Sequence, residues 1–171
     1  MAVQPVLTFP HPLLKQLLPE VQAPNDKIVH SALADLVDTL RYHPSCVGIA
    51  ASQISLLVRA IVVDVSHSPR ADGNHGLLQL VNPKVVEASQ WKISREGCLS
   101  FPHLLANVKR AQKIRVLALN ETGMEIDMTC LGFEAVVIQH EIDHLDGILF
   151  LDRIRSSKDL FERRKTDSTI S

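Results

Sequence analysis

One stretch near the C-terminal end constrains the fold more than any other: Gln139-His140-Glu141-Ile142-Asp143-His144-Leu145-Asp146-Gly147, which contains His-Glu-x-x-His. It lies in a segment following Gly132 whose apolar residues, Phe133, Val136, Val137, Ile138, Ile142 and Leu145, nearly surround the axis of a helix. A helix that is apolar on all sides is a buried helix. On it, His140 and His144 fall about 40° apart at ~3.6 residues per turn, so both imidazoles can ligate one divalent ion. Glu141 is then placed as a general base for a water that the ion makes nucleophilic, the wiring of a metallohydrolase. Burial supplies the dry, fixed scaffold that such ligands need. Glutamate and histidine are also common on surface helices, so a third ligand is what separates chemistry from coincidence.

The 171 residues fit one domain, and 46% are hydrophobic, enough for a core. A formal charge of −1 and a pI near 6.7 exclude a broadly basic nucleic-acid surface, so no DNA partner is expected. No apolar run approaches the ~20 residues that cross a bilayer, and Met1 to Pro12 lacks a signal-peptide pattern, so a soluble, unprocessed chain with no membrane partner is expected. Three cysteines, Cys46, Cys98 and Cys130, are an odd number without Cys-x-x-Cys, which fits a reducing compartment and leaves one available as a ligand.

From Asn25, read as an N-cap, Ile28, Val29, Leu33, Leu36, Val37 and Leu40 recur on one helix face that ends before Pro44. Leu57 to Val65, Leu77 to Val86 and Ile114 to Leu119 read as strands, and a turn at Glu121-Thr122-Gly123 returns the chain as Glu125 to Leu131. Ser66 to Gly76 reads as an exposed excursion. The tail from Asp152, with Arg153, Arg155, Lys158, Arg163, Arg164 and Lys165 among acids, reads as a short solvated helix ending in a polar Thr/Ser stretch. Residues 1–155 are thus expected as a single catalytic domain and 156–171 as a polar, partly basic tail.

Two further segments bear on chemistry. In Arg95-Glu96-Gly97-Cys98-Leu99-Ser100-Phe101-Pro102, glycine and proline mark irregular backbone at a strand end, where Cys98 could complete a Cys/His/His site with one open position. A lone cysteine is more often a small buried hydrophobe, and spacing alone favours that reading. In Cys46-Val47-Gly48-Ile49-Ala50-Ala51-Ser52-Gln53, small residues permit close backbone approach and the Gln53 amide could donate to an oxyanion, although such stretches also mean plain close packing. Glu96 and Arg110 could pair across strands to brace the Cys98 segment. His11, His30, His43, His67, His75 and His103 lack partners at ligand spacing and read as surface or structural residues.

Together the three segments resemble the peptide deformylase family, whose motifs run G-x-G-L-A-A-x-Q, E-G-C-L-S and Q-H-E-x-D-H-L-x-G. This chain has C-V-G-I-A-A-S-Q, E-G-C-L-S and Q-H-E-I-D-H-L-D-G in the same order. The resemblance implies an α+β fold, with antiparallel sheets wrapped around a central metal-binding helix that carries His-Glu-x-x-His. It implies that Cys98, His140 and His144 bind one divalent ion, Fe(II) with Zn(II), Ni(II) or Co(II) as substitutes. By the same resemblance Glu141 is general base and acid, while Gln53 and the Leu99 N–H face the oxyanion. Substrate is implied to add as a strand near Val47, Gly48 and Gly97, its methionine side chain entering a pocket that includes Val47, Phe133, Val136 and Val137.

The implied reaction is removal of the formyl group from the formylmethionine of new polypeptides, releasing formate. It implies N-formylmethionyl peptides as partners, a possible transient ribosome contact, a monomer, and a location in bacterial cytosol or an organelle of bacterial origin. Two departures bear on the cleft: Cys46 replaces a glycine, and Leu105 falls where many family members carry an arginine. A zincin-like endopeptidase with another third ligand, and a binding or regulatory protein that keeps the metal, remain as alternatives.

Overall fold

Two long runs organise the molecule, for which a computed structural model describes residues 2–164. Leu78–Cys98 (β3) and Phe101–Leu119 (β4) form an antiparallel hairpin, paired from Val81↔Leu119 at one end to Cys98↔Phe101 at the other. Both strands run far beyond the expected Leu77–Val86 and Ile114–Leu119. Val86 to Ile93 is exposed throughout, so no alternation of apolar and polar residues announces it. Ladder hydrogen bonds hold that stretch where hydropathy is silent.

Gly48–Ala50 (β1) pairs with Ala60–Val63 (β2), β2 with β3, and Glu125–Leu131 (β5) with the far end of β4, in the sheet order β1-β2-β3-β4-β5. The expected strand at Leu57–Val65 is trimmed at both ends, and Leu57 is exposed. The tail does not form the expected solvated helix over its length. Phe150–Arg153 is a single helical turn, and Leu160–Glu162 (β6) pairs with β4 at Leu104–Ala106 because that part of the β4 edge is not occupied by β5. Lys165 and the Thr/Ser stretch lie outside the described residues.

Lys27–Tyr42 (α1) covers β1 and β2 with Leu33, Leu36 and Leu40 packed on Ile49 and Val62. Its N-cap is Asp26 rather than Asn25, the Asp26 carboxylate accepting from the Ile28 N–H at 2.9 Å. Ile28 is exposed instead of joining the buried face, since it lies about 120° around the axis from Leu40. Gly132, at φ +55°, turns the chain from β5 into Gly132–Leu145 (α2). Every residue of α2 from Phe133 to Leu145 is buried except Gln139. Gln139 ties the helix to β4, its amide donating to Ala111 O at 2.8 Å and accepting from Ala111 N at 3.1 Å. The architecture is therefore α+β, an antiparallel sheet packed around the helix that carries the paired histidines.

Candidate metal centre

The hairpin tip and the buried helix meet at one point. Cys98 ends β3 and pairs with Phe101 across the two-residue turn Leu99-Ser100, immediately after a register slip at Gly97. Its Sγ lies 3.2 Å from His144 Nε2, and one ligand atom each from Cys98, His140 and His144 falls within 4.8 Å of the others. Donors bonded at ~2.0–2.3 Å around a tetrahedral ion stand ~3.3–3.8 Å apart, so the spacing suits a shared cation. All three side chains are buried.

A charged layer behind them fixes the orientation of His140. His140 Nδ1 sits 2.8 Å from Glu96 Oε2, which directs Nε2 into the centre. Arg110 grips Glu96 at 2.7 and 3.1 Å and reaches Asp143 at 2.6 Å, while Arg153 closes on Asp143 from the other side. Burial would raise the Glu96 carboxyl, but Arg110 and His140 hold it down at about 2. His144 is pushed well below its ordinary value by burial and by the charges of His140 and Arg110, which leaves its ring neutral and able to ligate. Burial lowers His140 as well, yet Cys98 and Glu96 outweigh it and raise the ring: this is a spot where positive charge is favoured. A divalent ion there would replace that proton.

Glu141 is fully buried, and its carboxyl is pushed up to about 7, chiefly by burial. Among the described residues, His140 Nε2, His144 Nδ1 and both Glu141 oxygens have no hydrogen-bond partner. Buried polar atoms are almost always paired, so such a group marks a place built for something further. The set of a cysteine sulfur, two imidazoles and a free carboxyl group fits a divalent metal and its water.

Gly48 stands directly against this group. A Cβ there would lie 2.6 Å from Glu141 Oε1 and 2.6 Å from Val137 Cγ1, too close for any side chain. Gly48→Ala should therefore displace Glu141 and lower hydrolytic kcat/KM by ~100-fold with metal content unchanged. Wild-type turnover in that variant would show that the backbone yields and that the contact is unimportant.

Gln53 is the third residue of a short 3-10 turn, Ala51–Ile54, with its Oε1 accepting from Ala50 N at 2.9 Å. This leaves Nε2 facing Cys98 Sγ at 3.5 Å and Ser100 Oγ at 3.2 Å. Leu99 occupies the tip beside Cys98, and Gly97 is buried opposite Leu105. Val47, Phe133, Val136 and Val137 are buried in one cluster next to Gly48. Cys46 does not take up a positive φ; its thiol, kept neutral by burial, meets Gly48 O at 3.0 Å. Leu105 is buried and pairs with Phe161 of β6.

The structure also recruits residues the sequence did not single out. Ser52 Oγ donates to His144 O at 3.1 Å, and the Arg70 guanidinium lies 3.9 Å over the Phe133 ring. His75 is not partnerless: its Nδ1 lies 2.7 Å from Glu134 Oε2, a pairing across 59 positions that spacing could not reveal.

The chain matches the family model described as polypeptide deformylase over residues 3–160. It is 40% identical to a peptide deformylase of Aquifex aeolicus over 153 residues, 90% of this chain and 88% of that one, and 37% identical to one of Syntrophobacter fumaroxidans over 96% of this chain and 94% of that one. The crystal structure of the Ehrlichia chaffeensis peptide deformylase superposes with a TM-score of 0.82 at 30% identity, covering 92% and 91% of the two chains. The Met-Ala-Ser-bound class I type b enzyme of Acinetobacter baumannii gives 0.82 at 32% identity over 90% and 99%. The chain belongs to the polypeptide deformylase family. Deformylases are metallohydrolases, and the candidate ligand group accords with a metal-dependent member. Neither the endopeptidase reading nor that of a metal-keeping binding module is favoured beside these matches.

Proposed function

We propose that this deformylase holds one divalent ion on Cys98, His140 and His144, with Fe(II) native and Zn(II), Ni(II) or Co(II) as substitutes, and uses it to release formate from N-formylmethionyl polypeptides. The observation that carries the reading is the arrival of the Cys98 sulfur 3.2 Å from His144 Nε2 beside a buried, unpartnered Glu141 carboxylate. When bound, the ion supplies Lewis acidity that brings the pKa of water from ~15.7 toward neutrality.

Glu141 takes the proton of the attacking water and returns it to the leaving amine, a cycle suited to a carboxyl poised near neutral pH. The Gln53 Nε2 and the Leu99 N–H donate to the developing oxyanion; one such donor is typically worth ~2.7–4 kcal/mol. Val47, Gly48 and Gly97 offer backbone to an extended substrate, while Phe133, Val136 and Val137 line the methionine pocket. A formyl carbon carries hydrogen where an internal peptide carbonyl carries a side chain, so a cramped site separates deformylation from proteolysis.

The bacterial relatives support a place in bacterial cytosol or an organelle of bacterial origin. There the chain would act on new polypeptides as a monomer with transient ribosome contact. Among the described residues no helix is long and apolar enough to cross a membrane. Of the basic residues near the C-terminal end, Arg153 is engaged with Asp143.

The test is formate release from formyl-Met-Ala-Ser by anaerobically prepared protein, with metal content measured alongside. Wild type should release formate and carry one ion per chain, whereas Cys98→Ser should lose both. Absence of formate from wild type fully loaded with iron, nickel or zinc would overturn the activity, and full metal in Cys98→Ser would overturn the ligand set.

A further inference from the structure

A second set of metal-binding donors converges outside the Cys98 centre. His75 comes from the Ser66–Gly76 excursion, Cys130 from the last residues of β5, and Glu134 from the first turn of α2. The turn at Gly132 places Cys130 and Glu134 side by side, and His75 docks onto them from the loop. Its Nδ1 lies 2.7 Å from Glu134 Oε2 and its backbone N–H donates to Glu134 Oε1 at 2.8 Å. One ligand atom from each of the three residues lies within 4.8 Å of the others. Cys130 and Glu134 are buried, while His75 is 45% exposed in its side chain.

We propose that His75, Cys130 and Glu134 form a second metal site, one that takes zinc independently of the ion on Cys98, His140 and His144. Beside the His75–Glu134 pair stands a third donor, the buried Cys130 thiol, which donates to Glu134 and is kept protonated by burial and by that carboxylate until a metal displaces the proton. Imidazole, thiolate and carboxylate are the donor types zinc accepts, and the sulfur disfavours magnesium and calcium, which take oxygen. Solvent on the open side of His75 supplies a fourth donor. On binding, the Cys130 thiol gives its proton to solvent, and the sulfur, imidazole nitrogen and carboxylate oxygen each donate a lone pair.

The consequence reaches the cleft. Arg70, on the same excursion, lies 3.9 Å over the ring of Phe133, whose neighbour in sequence is Glu134. Its Nη1 also donates to Arg95 O at 3.3 Å, which carries the loop across to β3. Zinc at His75 would pin this loop to α2 and β5 and so fix the side of the methionine pocket that Arg70 covers.

The experiment uses nickel-loaded enzyme dialysed against limiting zinc, with both metals quantified in wild type, Cys130→Ser and His75→Ala. Wild type should gain one zinc per chain without losing nickel. Both variants should keep nickel and formate release yet gain no zinc. The exposed His75→Ala change guards against a folding defect in Cys130→Ser. Equal zinc uptake in all three proteins, no uptake in any, or zinc entry matched by nickel loss would overturn the second site. The comparison is of zinc between wild type and variants, so it is decided separately from the identity of the ion on Cys98.

Discussion

Replacing Glu141 by Gln is expected to lower kcat by ~10³-fold while leaving the metal bound, and to make the metal-free protein more stable. General acid–base participation is typically worth ~10²–10⁴-fold, and Gln fills the same space without accepting the proton. The stability change follows from burial. The folded carboxyl titrates at about 7 against an ordinary 4.5, so the native state holds on to a proton that the unfolded chain releases. Its favourable contribution is complete below 4.5 and is lost as pH rises through about 7. Metal-free Glu141→Gln should match wild type in urea denaturation near pH 4.5 and exceed it by about 3 kcal/mol at pH 8. Equal stability at pH 8 would mean that the carboxylate is not desolvated as the structure has it.

The second large effect is structural. Arg110→Met should destabilise the fold by ~3–5 kcal/mol at pH 7, because it leaves Glu96 and Asp143 as buried carboxylates without the guanidinium between them. Arg153 still holds Asp143 and His140 still touches Glu96, so compensation is partial. Glu96 is held at about 2 in the folded protein; its contribution is present above the ordinary 4.5 and fades as pH falls toward about 2. The deficit of Arg110→Met should accordingly narrow on acidification. A loss under 1 kcal/mol in urea denaturation at pH 7 would show that His140 and Arg153 suffice.

How much of this was legible in the sequence depended on whether burial left a periodic mark. Helix α2 did leave one, since apolar residues ring its axis and the histidines interrupt it at a fixed interval. Strand β5 was also legible, bounded by the Glu121–Gly123 turn and by Gly132. The middle of β3 was not, because Val86 to Ile93 faces water and is held by backbone pairing that side chains do not encode. Strand β1 was too short for periodicity, and β6 depends on a free length of β4 edge, a tertiary circumstance.

Within the site the same division holds. The donor types of Cys98, His140 and His144 could be read from their segments, and Glu96 and Arg110 from opposite charges on adjacent strands. Asp143 could not, since on a helix whose facing is unknown an aspartate reads as solvated. Arg70 and His75 were hidden because loop residues carry no period, and their partners lie in another element. Glu134 likewise gave no sign of its contact with His75, which comes from a distant loop.

The Cys98 sulfur sits at the tip of a hairpin, and its nitrogen counterparts lie on α2 roughly forty residues later, with β4 and β5 in between. An ion joining them would act as a cross-link in a chain whose three cysteines are all free. Closing a loop of that size restricts the unfolded ensemble by an amount comparable to a disulfide, ~4 kcal/mol. Oxidising this one sulfur would thus unfasten the tip of the hairpin in the same event that silences turnover, so that damaged copies become easier substrates for proteases than intact ones.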